Sequence, residues 1–165
     1  MKRVIFVLLL PFYLLLSCQN SSLEPEEQFV QIYLKYNYNN VLNTFDNTFQ
    51  KDLVEDGVIK VKFLFTEEEQ NKILKKANLL NFFLMPDTFI HNFSDSIAAS
   101  INPDPGEQIL RIKYKSNDKS TLWTYPPLED NAQFNNLLEL RGFIITIIES
   151  KPEYKNLPPA EGGYI

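Results

Sequence analysis

The chain has 165 residues, with 16 basic and 21 acidic side chains, one histidine and one cysteine. A formal charge of −5 with no run of Lys or Arg argues against nucleic acid and anionic lipid headgroups as partners. An aromatic content of 13% excludes a disordered stalk, and a lone cysteine excludes an internal disulfide, so a packed core must hold the fold.

Residues 1–17 have the order of an export signal. Lys2 and Arg3 are followed by 13 residues, Val4 to Leu16, that form a nearly unbroken apolar run. That run is shorter than the ~20 residues that span a bilayer, and Pro11 weakens it further as a membrane helix. Leu15-Leu16-Ser17-Cys18 resembles the lipobox of bacterial lipoproteins. The resemblance implies a diacylglyceryl group on the Cys18 sulfur, cleavage before Cys18 and acylation of the new amino terminus. It implies a bacterial cell-envelope protein held on a membrane by lipid. The missing aspartate after Cys18 resembles cargo sent to the outer membrane. Two or more acyl chains, at about 0.8 kcal/mol per buried methylene, hold such a protein stably. The alternative is an ordinary secretory signal, or an uncleaved anchor, with an incidental cysteine. Without residues 1–17 the chain keeps 148 residues, with 14 basic and 21 acidic side chains, enough for one domain. Residues 18–27 form a polar, lipidated tether, 28–150 the globular domain and 151–165 a Pro/Gly-rich tail.

In residues 29–38, Val30, Ile32, Leu34, Tyr36 and Tyr38 alternate with Gln31, Tyr33, Lys35 and Asn37. That period predicts a half-buried strand, ending in a turn at Asn39-Asn40. Residues 42–53 predict a second, irregular strand with Phe45 and Phe49 inward, although a spacing of four also fits a loop. Asp56-Gly57 is a turn signal. Residues 58–65 predict a firmer strand, with Ile59, Val61, Phe63 and Phe65 on one face and Lys60 and Lys62 on the other.

Thr66 and Glu69 have the spacing of a capping box, and Glu67, Glu68 and Glu69 suit the positive end of a helix dipole. Ile73, Leu74, Ala77 and Leu80 form the buried stripe of that helix, which ends near 79–81. Phe82-Phe83-Leu84-Met85-Pro86 is an apolar plug for one end of the core. Residues 87–107 are the longest irregular stretch.

Residues 108–115 and 120–125 predict a hairpin around Asn117-Asp118. That register sets Ile112 opposite Trp123 and Leu110 opposite Tyr125, with both aromatics on the apolar side. Glu129-Asp130 opens a second helix running to about Glu149. Phe134, Leu137, Leu138, Ile144, Ile145 and Ile148 form its buried face, widened by Leu140, Phe143 and Ile147. Gly142 marks a point of close packing, and the tail lies along the domain through Tyr154 and Leu157. The order strand–strand–strand–helix, then strand–strand–helix, predicts an α+β single domain. Its sheet is mainly antiparallel with four to five strands, and both helices pack on one face.

No nucleophile elbow, phosphate-binding glycine loop or CxxC is present, so no catalytic residue, metal or cofactor is assigned. Two residues stand out as candidate binding groups. His91 is the single histidine, and Asp87 or Asp95 would have to join it for a metal or catalytic role. Tyr33 alone opposes the apolar face of its strand, among a set of sugar-platform candidates that includes Tyr36, Tyr38, Trp123 and Tyr125. Asp46, Asp52, Glu55 and Asp56 are carboxylates for acid–base work only if they pair in space. Asn102, Asp104 and Glu107 alternate loosely like calcium ligands but do not match the EF-hand loop.

Leu42-Asn43-Thr44-Phe45-Asp46, Lys51-Asp52-Leu53, Lys62-Phe63-Leu64-Phe65-Thr66-Glu67-Glu68-Glu69 and Phe82-Phe83-Leu84-Met85-Pro86 look like blocks of small lipoproteins of unassigned function. These are similar to lipoproteins of Bacteroidota-type bacteria, and the resemblance brings no activity or site residues. The expectation is a membrane-anchored binding or interaction module, with an envelope protein or glycan as partner and no catalysis. The alternatives are an envelope hydrolase using loop carboxylates, or a structural subunit of an envelope complex.

Overall fold

The alternation begun at Val30 is realised as β1 (Gln31–Tyr36), where Ile32, Leu34 and Tyr36 are buried and Gln31, Tyr33 and Lys35 are not. The computed structural model describes residues 29–91 and 106–163. The export signal, Cys18, the tether, Asp95, Asn102, Asp104, Tyr164 and Ile165 lie outside the described residues.

β2 (Asn40–Asn43), β3 (Thr48–Val54) and β4 (Gly57–Lys62) continue from β1 as an antiparallel meander. A later hairpin, β5 (Gln108–Tyr114) and β6 (Asn117–Trp123), joins the other side of β1. The result is one six-stranded sheet in the order β4-β3-β2-β1-β5-β6, antiparallel at every step. The α+β architecture is as predicted, with one strand more than the upper expectation. Residues 42–53 supply the difference, because they make parts of two strands and not one. The Asn43 side chain accepts from Phe45 N at 3.1 Å and donates to Asp46 at 2.7 Å, and Asn47 takes φ +55. Such side-chain bonding turns the chain back on itself. Phe49 is then buried as predicted, but Phe45 sits in the turn and not in the core.

Two main helices cover one face. α1 (Glu67–Leu79) starts with the predicted capping box: Thr66 Oγ1 accepts from Glu69 N at 3.2 Å, and Glu69 Oε2 accepts from Thr66 N at 2.8 Å. α2 (Ala132–Ser150) is capped by Asn131, whose Oδ1 accepts from Phe134 N at 3.0 Å. Ile73 and Ala77 of α1 and Phe134, Leu137, Leu140, Ile144 and Ile148 of α2 meet Ile32, Leu34, Leu42, Phe49, Leu110, Ile112 and Trp123 of the sheet. The short α3 (Pro152–Lys155) then lays Tyr154 and Leu157 against this core, so the tail does lie along the domain. Lys151, at the α2–α3 joint, reaches back to Glu69 at 2.8 Å.

Several local expectations are corrected. β1 stops at Tyr36, because Asn37 and Tyr38 take positive φ and make the turn two residues early. The β5–β6 turn is at Lys115-Ser116, with Lys115 at φ +54, so Leu110 pairs with Thr121 and Ile112 with Lys119. Leu138 is exposed, because it lies beyond the arc of α2 that faces the sheet. A Cβ added to Gly142 would meet nothing within 4 Å, so close packing is not its role.

The two sheet edges differ. Residues 86–89 run along β6: Leu122 N donates to Asp87 O and Phe89 N to Leu122 O, both at 2.9 Å, and Thr121 donates to Pro86 O at 3.0 Å. β4 ends the sheet on the other side, with Lys60 and Lys62 exposed.

Candidate functional site

Among the described residues no helix covers the second face of the sheet, and strand pairing decides what lies on it. One row across the strands reads Lys62, Thr48, Asn43, Tyr33, Arg111, Ser120. The next reads Lys60, Gln50, Val41, Lys35, Ile109, Leu122. Gln31, Lys113 and Asp118 begin a third. These are the residues out of phase with the core, so one periodicity builds both faces.

Arg111 organises the middle. Its Nε donates to Asp118 Oδ1 at 2.8 Å and its Nη2 to Asp118 Oδ2 at 2.7 Å, a two-pronged pair. Those hydrogen bonds hold the Asp118 carboxyl below its usual range and the Arg111 guanidinium above its own. The guanidinium also lies over the Phe45 ring, 4.9 Å from its centre. Phe45 thereby divides two depressions. The shallower, about 480 Å³, is lined by Tyr33, Asn43, Phe45, Ile109, Arg111 and Ser120. The larger, about 660 Å³, runs from Phe45 past Thr44, Asn47, Leu64 and Phe65 to Phe29, with Lys113 and Lys115 on its rim. Together they offer an aromatic wall, amide and hydroxyl groups, and cations, which suits reversible binding of a polar ligand.

Tyr33 is half-buried on the open face, inside the shallower depression. Tyr36 and Trp123 are buried in the core, at 1% and 2% exposure, which removes them from any platform. His91 lies elsewhere: its Nδ1 bonds Pro126 O, and its ring meets Tyr125 edge to face at 5.9 Å. It lines neither depression, so the structure does not bring the two candidate binding residues together. Asp87 is paired with Lys119 and not with His91.

The loop carboxylates do not converge either. Asp46 is bonded by Asn43, Asp52 is buried with Asn39 donating to it at 3.2 Å, and Glu55 and Asp56 are exposed in the β3–β4 turn. Among the described residues no group of three or more His, Cys, Asp or Glu side chains is placed to hold a metal ion.

No protein-family model matches the chain. No solved structure matches it either. A similar curated protein is fibronectin-binding protein A of Staphylococcus aureus (strain bovine RF122 / ET3-1), 35% identical over 65 residues. That stretch is 39% of this chain, and it spans only 6% of the relative's length. No helix among the described residues is long and apolar enough to cross a membrane.

Sequence reasoning missed Phe45 and Arg111. Phe45 shares the four-residue spacing of Phe49 and so looked like core. Arg111 acquires its role only through Asp118 on the neighbouring strand and through Phe45 in a turn far away in the chain.

Proposed function

We propose that the protein is a non-catalytic binding module of the bacterial cell envelope, anchored by lipid on Cys18, with the open sheet face as its binding surface. The observation that carries the binding role is the pair of adjoining depressions divided by Phe45 under Arg111. The lipobox-like Leu15-Leu16-Ser17-Cys18 supports the anchor. The short likeness to a protein named for binding fibronectin agrees with a binding role and is too local to name a partner.

Two experiments test this. Full-length protein in detergent is assayed for retention of isolated envelope glycans and envelope proteins. Tyr33→Ala with Phe45→Ala should lower retention at least about tenfold, the loss of roughly 1.4 kcal/mol of contact. Lys72→Ala with Lys75→Ala on α1 should leave it unchanged. Retention that survives the first pair but not the second moves the site to the helices. For the anchor, the intact mass of membrane-extracted protein should start at Cys18 and carry acyl chains, and Cys18→Ala should abolish both. An unmodified wild-type mass removes the anchor.

A further inference from the structure

We infer that the open sheet face recognises an acidic glycan, a linear sugar polymer carrying carboxylate or phosphate groups at intervals. This rests on the binding face proposed above and adds the chemistry of what occupies it.

The first observation is charge segregation. The described residues contain 14 basic and 16 acidic side chains. The three rows hold five of the former, Lys35, Lys60, Lys62, Arg111 and Lys113, and Asp118 of the latter; the next pair on this face, Asp52 opposite Val58, adds one buried carboxylate, which accepts from Asn39. The sheet therefore turns a positive face outward from a chain that is negative overall. Asp118 is committed to Arg111, and none of the four lysines makes an ion pair among the described residues. No stretch of sequence announces this patch, because strand pairing gathers it from three separate segments. The expectation that the chain lacks clustered cations is thus corrected in space, though not along the sequence.

The second observation is how the cations are spread. Lys60 and Lys62, like Arg111 and Lys113, are two residues apart on one strand, or about 7 Å. Lys60 and Lys35 are three strands apart in one row, or about 14 Å at the usual strand spacing. Charges distributed over a surface of this width suit an extended polymer better than one small anion. Asn43, Thr48, Gln50 and Ser120 occupy the same rows and match sugar hydroxyls, while Tyr33 and Phe45 offer ring faces to the apolar side of a sugar.

The same observations disfavour other polyanions. A single-stranded nucleic acid needs a run of aromatic faces on which successive bases stack, and the three rows supply only Tyr33, with Phe45 beside them under Arg111. A membrane surface would be met by exposed large apolar side chains spread among the cations; those nearest the open face, Val58, Phe29 and Leu64, lie outside the three rows that carry the lysines.

The test uses the full chain in detergent with four probes: polygalacturonate, the same polymer fully methyl-esterified, single-stranded DNA, and phosphatidylglycerol vesicles. Polygalacturonate should bind, and the esterified polymer at least about tenfold more weakly. Raising salt from about 0.05 to about 0.5 M, or making Lys60→Glu with Lys62→Glu, should weaken binding by about tenfold. Lys72→Glu with Lys75→Glu on α1 should have no effect, which controls for net charge. Equal binding of both polymers, lost in Tyr33→Ala with Phe45→Ala, overturns the acidic ligand but keeps the binding face. Binding of neither polymer overturns the inference, while retention of an envelope component by the same preparation still judges the face by itself. DNA or vesicles bound as tightly, through the same lysines, overturn the glycan in favour of a general polyanion surface.

Discussion

The two faces of the sheet are built from alternate residues of the same strands, yet they answer to different physics. On the covered face Ile32, Leu34, Leu110 and Ile112 are fully buried, and Trp123 meets Phe134 edge to face at 6.4 Å. On the open face Tyr33, Lys35, Arg111 and Lys113 keep contact with water, and their interactions are ring contacts and ion pairs. A single step along the chain moves a residue from one regime to the other. Stability should therefore be concentrated on one side and binding on the other.

The sharpest way to break that division is to truncate one large residue on each side. Trp123→Ala should cost about 3–5 kcal/mol in urea unfolding, the usual range for emptying a buried aromatic site. Tyr33→Ala, on the open face, should cost about 1 kcal/mol or less. Equal losses would mean that the open face is structural.

The next effect lies within the covered layer. Glu69 closes the α1 capping box and also receives Lys151, whose side chain is only 10% exposed. Glu69→Ala should cost about 2–4 kcal/mol, because it leaves a nearly buried ammonium without its partner. Glu69→Gln keeps an acceptor for Thr66 N and should cost less. Burial by itself raises the Glu69 carboxyl, but the hydrogen bonds from Lys151 and Thr66 outweigh it and hold the group below its usual value. A carboxyl lowered in the folded state adds stability above its unfolded value and loses it as pH falls through the folded one. The urea midpoint of the wild type should therefore fall more steeply on acidification below the ordinary carboxylate range than that of Glu69→Gln. Parallel curves would dismiss the linkage.

Smaller effects sharpen the contrast. Gly142 lies inside α2 with open space where a Cβ would project, so Gly142→Ala should stabilise by about 1 kcal/mol, visible as a raised urea midpoint. Lys35→Ala should change stability by less than about 0.5 kcal/mol while weakening binding to the acidic polymer.

The faces were legible in the sequence and the partners were not. Alternation from Val30 to Tyr36 identified Tyr33 as outward, and the Thr66/Glu69 spacing identified the α1 cap. The hairpin register was misplaced because Lys115-Ser116 carries no Gly, Asn or Asp, the residues that favour two-residue hairpin turns, while Asn117-Asp118 does. Each β6 partner moved by four positions, an even number, so Trp123 still reached the core. An odd slip would have exchanged the two faces. Phe45 was illegible because the Asn43 side chain, accepting from Phe45 N and donating to Asp46, holds its segment as a turn and not a strand. The cationic face was illegible because its members share no segment, only rows across the sheet.

The unequal edges of the sheet bear on how the molecule behaves in company. Residues 86–89 close the β6 side against strand addition, whereas the outer side of β4 has no paired neighbour among the described residues. Lys60 and Lys62 stand on that bare strand, and charges so placed discourage a second sheet from docking end to side. The lysines thus serve solubility as well as the open face, and the two duties can be separated. Lys60→Glu with Lys62→Glu keeps the edge charged, so that protein should stay monodisperse in light scattering. Lys60→Val with Lys62→Val should let chains join through β4 and lengthen into oligomers, even with the rest of the fold intact.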